Sequence, residues 1–171
     1  MELLSCSDTR TPMARNAVEY TKTFSDVAPD AWYADAVHTL AALGIIKGMT
    51  EYTFAPNEPI TRAQFMAICA RFTKVSAEGD EFVDVPETHW AHDYISTASA
   101  FGWISGVGDG KFAPNDRVSR AATSVIVNRM LGRVPDRAAI DSTGVQRYGD
   151  VTGSFWAWYD INEASTGVLP R

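Results

Sequence analysis

Apolar positions along the chain follow helical spacing in short windows separated by breakers. Trp32, Ala36, Val37, Leu40 and Leu43 recur at about 3.6 residues, and Gly44 supplies a left-handed stop. A helix of about three turns is predicted there, with Asp30 as its N-cap. A second stripe, Phe65, Ile68, Cys69 and Phe72, opens at Thr61, with Gln64 three residues later completing a capping box. Between them Pro56 and Pro59 forbid a helix and leave a short extended, hairpin-like arm.

The same pattern returns 58 residues later. Gly44/Gly102, Gly48/Gly106, Phe54/Phe112, Pro56/Pro114, Asn57/Asn115 and Arg62/Arg120 are all in register. Upstream, Phe24-Ser25-Asp26-Val27 matches Phe82-Val83-Asp84-Val85, and a more distant third copy is Tyr148-Gly149-Asp150-Val151. A tryptophan stands six residues after each aspartate, at Trp32, Trp90 and Trp156. A fixed period implies one supersecondary unit that buries its apolar face against its copies. Each full unit reads as helix, arm, helix. The predicted organisation is an N-terminal helix within 1–23, a first repeat at 24–75, a second at 82–133, and a partial third at 148–171. Residues 74–81 and 132–147 read as links.

The third unit lacks an arm and a second helix. Aligning Thr9-Arg10 with Thr61-Arg62 also brings Tyr20-Thr21-Lys22 onto Phe72-Thr73-Lys74, so residues 8–22 resemble a worn second helix. The expectation is that this helix completes the third unit and closes a pseudo-threefold ring.

The net charge of −6 argues against a general nucleic-acid or anionic-membrane surface. An anionic ligand would have to be met by a few placed cations. No run approaches the roughly 18 apolar residues of a membrane span. Cys6 and Cys69 read as unpaired thiols, with Cys69 on a buried helix face.

Phe-x-Asp-Val, the following Trp, Gly-Ile-Ile-x-Gly, Phe-x-Pro-Asn and Ile60-Thr61-Arg62-Ala63-Gln64 together resemble the S-layer homology (SLH) repeat family. The resemblance covers about residues 24–167. It implies an all-α fold with short extended arms, a three-pronged, pseudo-threefold domain of helix-loop-helix repeats, on the bacterial cell wall or S-layer surface. It also implies secretion and non-covalent binding of a secondary cell-wall polysaccharide, often through a pyruvylated amino sugar held between prongs. The acidic residue that the family carries after Thr-Arg-Ala is Gln64 in the first unit and Ala122 in the second, so not every groove need be competent.

A pyruvate ketal presents a carboxylate, which a guanidinium meets with a planar pair of donors. Arg62 and Arg120, each in a first helical turn after Thr61 or Ser119, are therefore the leading ligand contacts. The alternative is that these arginines tie prongs together by pairing with Asp26, Asp84 or Asp150. Gln64 joins the candidate set beside them. Gly48 and Gly106 would let backbone approach a sugar, or simply adopt positive φ. Trp32, Trp90 and Trp156 could stack on pyranose faces, although at helical spacing beside apolar neighbours core packing is the stronger expectation. Asp26, Asp84 and Asp150 are expected to fix the preceding turn through local hydrogen bonds, with ligand contact secondary. His38, His89 and His92 occupy inequivalent positions, no nucleophile motif occurs, and acids that recur with the repeat do not make one active site. No enzyme activity, cofactor or metal is expected. A protein-docking or S-layer self-assembly module without glycan binding is the alternative function.

Overall fold

The computed structural model describes residues 23–76, 78–79, 81–143 and 148–166. Among these are six helices: α1 (Ala34–Ala42), α2 (Arg62–Ala70), α3 (His92–Ala100), α4 (Arg120–Met130), α5 (Arg137–Thr143) and α6 (Trp158–Thr166). No strand forms among the described residues; two isolated bridges, Thr61 with Arg117 and Gly108 with Lys111, mark the arms. The repeat is reproduced at the helix starts and at the ends of the first helices, since Ala34 and His92, Ala42 and Ala100, and Arg62 and Arg120 each lie 58 apart, whereas α4 runs two residues longer than α2.

The predicted caps of α2 and α4 are present. Thr61 Oγ1 accepts from the Gln64 N–H at 3.2 Å and Gln64 Oε1 accepts from the Thr61 N–H at 2.8 Å, a closed capping box. Ser119 Oγ accepts from the Ala122 N–H at 3.1 Å, and alanine returns nothing. The first helices begin differently from expectation. Asp30 does not cap α1, whose N-cap is Tyr33 without a side-chain bond. Stacked turns, such as Ala31 N–H to Ala28 O and Ala34 N–H to Ala31 O, lead into the helix instead.

The helices pair across units. The second helix of one unit packs on the first helix of the next: α2 on α3, and α4 on α6. One apolar cluster thus joins Ala63, Met66 and Cys69 of α2 to Phe82, Ile95, Ala98, Phe112 and Ile126 of the second unit. Another joins Val125 of α4 to Val151, Ala157, Trp158 and Ile161. The α2 stripe is correspondingly wider than predicted: Ala63, Met66, Ala67, Cys69 and Ala70 are buried, Ile68 faces the first unit's own cluster, and Phe72 is exposed. Burial on that scale, at about 25 cal/mol per Å² of apolar surface, is what binds the units together.

The link at 132–147 is not featureless. Asp136 Oδ1 accepts from the Ala139 N–H at 2.9 Å and starts α5, which buries Ile140 in the third cluster and packs on α6. Pro135-Asp136 ahead of Ile140 was the available signal. The link at 74–79 clamps onto α3 as well: Thr97 Oγ1 accepts from the Ser76 N–H at 2.8 Å and donates to the Ser76 carbonyl, and Gly79 lies against the Ser96 backbone where no Cβ fits. The segment expected to close the ring, residues 8–22, lies outside the described residues.

Candidate functional site

The predicted site residues are spread over the turns that enter the first helices, the arms, and the starts of α2 and α4, and their surroundings differ between units. Asp84 reaches across 28 residues of sequence to the second arm, accepting from the Phe112 N–H and the Ala113 N–H, both at 2.8 Å. Asp26 does the same in the first unit, with Phe54 N–H at 2.8 Å and Ala55 N–H at 2.7 Å. The aspartates therefore fasten arms rather than local turns. Two adjacent amides can converge on one carboxylate because Ala55 and Ala113 take left-handed backbone, φ 60° and 58°. Around Asp84 burial opposes ionisation, but the two N–H donors outweigh it and hold the carboxyl below its ordinary range. For the exposed Asp26 the Phe54 N–H is the main cause of the same downward shift. Asp150 is exposed with no partner among the described residues.

The two arginines diverge. Arg62 Nε donates to the Phe112 carbonyl at 2.9 Å, and its guanidinium lies 4.5 Å from the centre of the Phe112 ring. Burial depresses its basicity, opposed at longer range by Asp116 and Asp84. The expected alternative, an arginine locked to a recurring aspartate, is not formed by Arg62 among the described residues; its partner is a backbone carbonyl. The N–H groups that open α2 are also taken, Arg62 N–H by Asp116 O at 2.8 Å and Ala63 N–H by Pro114 O at 3.0 Å. Arg120 opens α4 exposed, its guanidinium without a partner among the described residues.

Gly48 takes φ 80°, and a Cβ there would lie 2.5 Å from Phe24 Cε1 and 2.6 Å from Thr53 O. At Gly106 a Cβ would lie 2.5 Å from Lys111 O. These glycines make room for their own unit's hairpin, so the space beside each is filled by protein rather than left to a sugar. Gln64 is spent on its cap and a 3.8 Å contact to Met49 Sδ.

The core expectation for the tryptophans is overturned. Trp32 is 94% exposed, Trp156 65% and Trp90 58%. Each stands two residues ahead of its helix, in the entering turn, so the helical stripe used to place it does not extend that far. Trp90 stacks on His89 at 5.8 Å and Trp32 meets Tyr33 edge-on at 5.5 Å. Trp103 and Trp158 are the buried indoles, Trp103 stacked on Phe101.

One recurring pair was missed. Arg71 Nη1 donates to Ile45 O at 2.9 Å and Arg129 Nη1 to Trp103 O at 3.3 Å, each closing its own unit by holding the loop after the first helix to the end of the second. Their 58-residue spacing was visible in the sequence. Among the described residues no three His, Cys, Asp or Glu side chains gather as metal ligands, and no helix is long and apolar enough to cross a membrane.

The model of the S-layer homology domain matches residues 23–66 and 81–123, about half the chain. The chain is similar to "Cell surface glycoprotein 1" of Acetivibrio thermocellus, 32% identical over 156 residues, which is 83% of this chain and 6% of that protein. It is also similar to the "Cellulosome-anchoring protein" of the same organism, 33% identical over 147 residues, 82% of this chain and 32% of the relative. With the "Surface-layer 125 kDa protein" of Lysinibacillus sphaericus it shares 33% identity over 128 residues, 71% of this chain and 11% of the relative. The chain thus spans about a third or less of the length of these relatives.

Proposed function

Because this chain belongs to the S-layer homology domain family, non-catalytic modules of the bacterial cell surface, we propose that it anchors a surface protein by binding an anionic secondary cell-wall polysaccharide. The finer reading is a pyruvylated amino sugar whose carboxylate is taken by Arg120. The observation that carries it is the contrast at the two helix starts: the Arg62 guanidinium and the amides behind it are used inside the fold, whereas Arg120 is exposed, its guanidinium unpaired among the described residues. A guanidinium in a first helical turn offers a planar donor pair beside the positive end of the helix, which suits a carboxylate. The exposed indoles of Trp32, Trp90 and Trp156 add flat apolar faces of the kind that stack on pyranose rings. Several weak sites along one polymer would multiply into firm attachment.

Cosedimentation with purified wall polymer, before and after chemical removal of pyruvate, tests this reading. Native chain is expected in the pellet with the pyruvylated polymer and in the supernatant without it, and Arg120→Ala is expected to abolish pelleting with helicity intact. Equal pelleting with both polymers, or undiminished pelleting of Arg120→Ala, would reject it. The same exposed tryptophans also suit a protein-docking or self-assembly module, which a rise in mass with concentration in the absence of glycan, together with no wall binding, would favour.

A further inference from the structure

Two joints, α2 on α3 and α4 on α6, tie each unit to the next, and they share much of their apolar set. α6 follows α3 by 66 residues, with Trp158 at the place of His92 and Thr166 at that of Ala100. In that register Val85, Ala91 and Ile95 of the first joint return as Val151, Ala157 and Ile161 of the second, and Ala63 of α2 returns as Ala121 of α4. Joints so alike invite exchange. α4 settling on α3, or α2 on α6, in one chain or between two, is the misassembly to which repeat proteins are prone.

One pair of positions sets the joints apart. Asn128 of α4 is fully buried, and its Nδ2 donates to the Asp160 carbonyl of α6 at 2.9 Å and to Asp160 Oδ1 at 3.3 Å. The corresponding positions of the first joint hold Ala70, also fully buried, and Tyr94. Tyr94 packs on the cluster shared by α2 and α3, and the Arg71 guanidinium lies 5.2 Å from the centre of its ring. Neither half suits the other joint. On α6, Ala70 would leave Asp160 without its donor and a void where the amide had been. On α3, Asn128 would bring an extra amide up to the Tyr94 ring, overfilling the place and satisfying neither end of that amide. Even in its own joint the side chain is costly, since Asn128 Oδ1 is buried without a hydrogen-bond partner among the described residues. A buried polar group held at such a cost suits the selection of partners, as a single core asparagine does between paired helices.

We propose that Asn128 with Asp160, set against Ala70 with Tyr94, forms a pairing key: it assigns α4 to α6 and α2 to α3, and it excludes both exchanged joints within one chain and between copies. Asn128 thereby acts as a specificity residue of assembly, independent of any ligand.

Two measurements on the full chain test the key. Asn128→Ala combined with Asp160→Tyr gives the second joint the residues of the first. This variant is expected to fold with unchanged helicity, yet on refolding from denaturant at about 100 μM to yield at least about fivefold more dimer and larger species than the native chain, read by light scattering after size separation. The excess is expected to vanish at about 1 μM. The converse transplant starts from Ala70→Asn, expected to lower the melting temperature by about 5 °C or more, most of which Tyr94→Asp in the same chain restores. Should Ala70→Asn not fold, recovery of folding by Tyr94→Asp is that rescue. An unchanged mass distribution overturns the key, and so does failure of the first variant to fold, because alanine and tyrosine already hold these positions in the first joint. No loss in Ala70→Asn, or no rescue by Tyr94→Asp, overturns it equally.

Discussion

Arg62 and Arg120 open equivalent helices in two copies of one motif, yet the first lies under the next unit's arm while the second stands in solvent. Local sequence is close to identical, Thr-Arg-Ala against Ser-Arg-Ala, and so is local structure, an N-cap followed by a first-turn arginine. The neighbour makes the difference. Residues 112–118 of the second arm lie across the start of α2, and no segment among the described residues does so at α4. One motif can therefore serve as a joint in one copy and, among the described residues, as an exposed cation in another.

The largest effect that would sharpen this contrast is at the phenylalanine beneath Arg62. Phe112→Ala is expected to destabilise the protein by about 3–5 kcal/mol, because it empties a fully buried site and removes the ring beneath a guanidinium. Phe54→Ala, at the half-buried counterpart, is expected to cost less. Denaturant midpoints at constant slope would measure both, and equal losses would erase the distinction between a covered and an uncovered arm.

Next in size are the arginines themselves. Arg62→Ala is expected to cost about 1.5 kcal/mol through the lost charge-assisted bond to Phe112 O. Arg120→Ala is expected to stay within about 0.5 kcal/mol. Thermal unfolding would show the first and not the second, the reverse of the order expected for loss of polymer binding at the Arg120 site. Equal melting shifts would mean that Arg120 also has a structural partner.

The smallest expected effect is acid sensitivity. Asp26 and Asp84 have carboxyl groups held below the ordinary range, so their contribution is complete above the unfolded value of about 3.9 and is lost as pH falls through the folded values. Exchange at Phe112 and Ala113 should rise below about pH 4 in the native chain. In Asp84→Asn it should be fast already at neutral pH, because an amide offers one acceptor oxygen where two N–H groups need serving. A flat pH profile in the native chain would remove the carboxylate from its role as arm fastener.

Much of this architecture was legible in the chain. The period of 58, the breakers and the caps placed α2 and α4, and the recurrence of Asp26, Asp84, Arg62 and Arg120 marked where arms and helices meet. Trp32, Trp90 and Trp156 were misjudged because a periodicity argument was carried two residues ahead of the start of the element it describes. Helix α5 was missed because a single buried Ile140 makes no stripe.

Determined by sequence alone were the units: the period, the second helices with their caps, the arms and the residue types that recur in each, since caps and breakers act on residues within a few positions and a period is read directly from the chain. Only the tertiary structure decided what each unit faces. Whether an arginine is a joint or an exposed charge depends on a segment some 50 residues away, as Arg62 and Phe112 are. Copies of one motif must differ there, because a repeat specifies its own fold identically each time while its neighbours change along the chain.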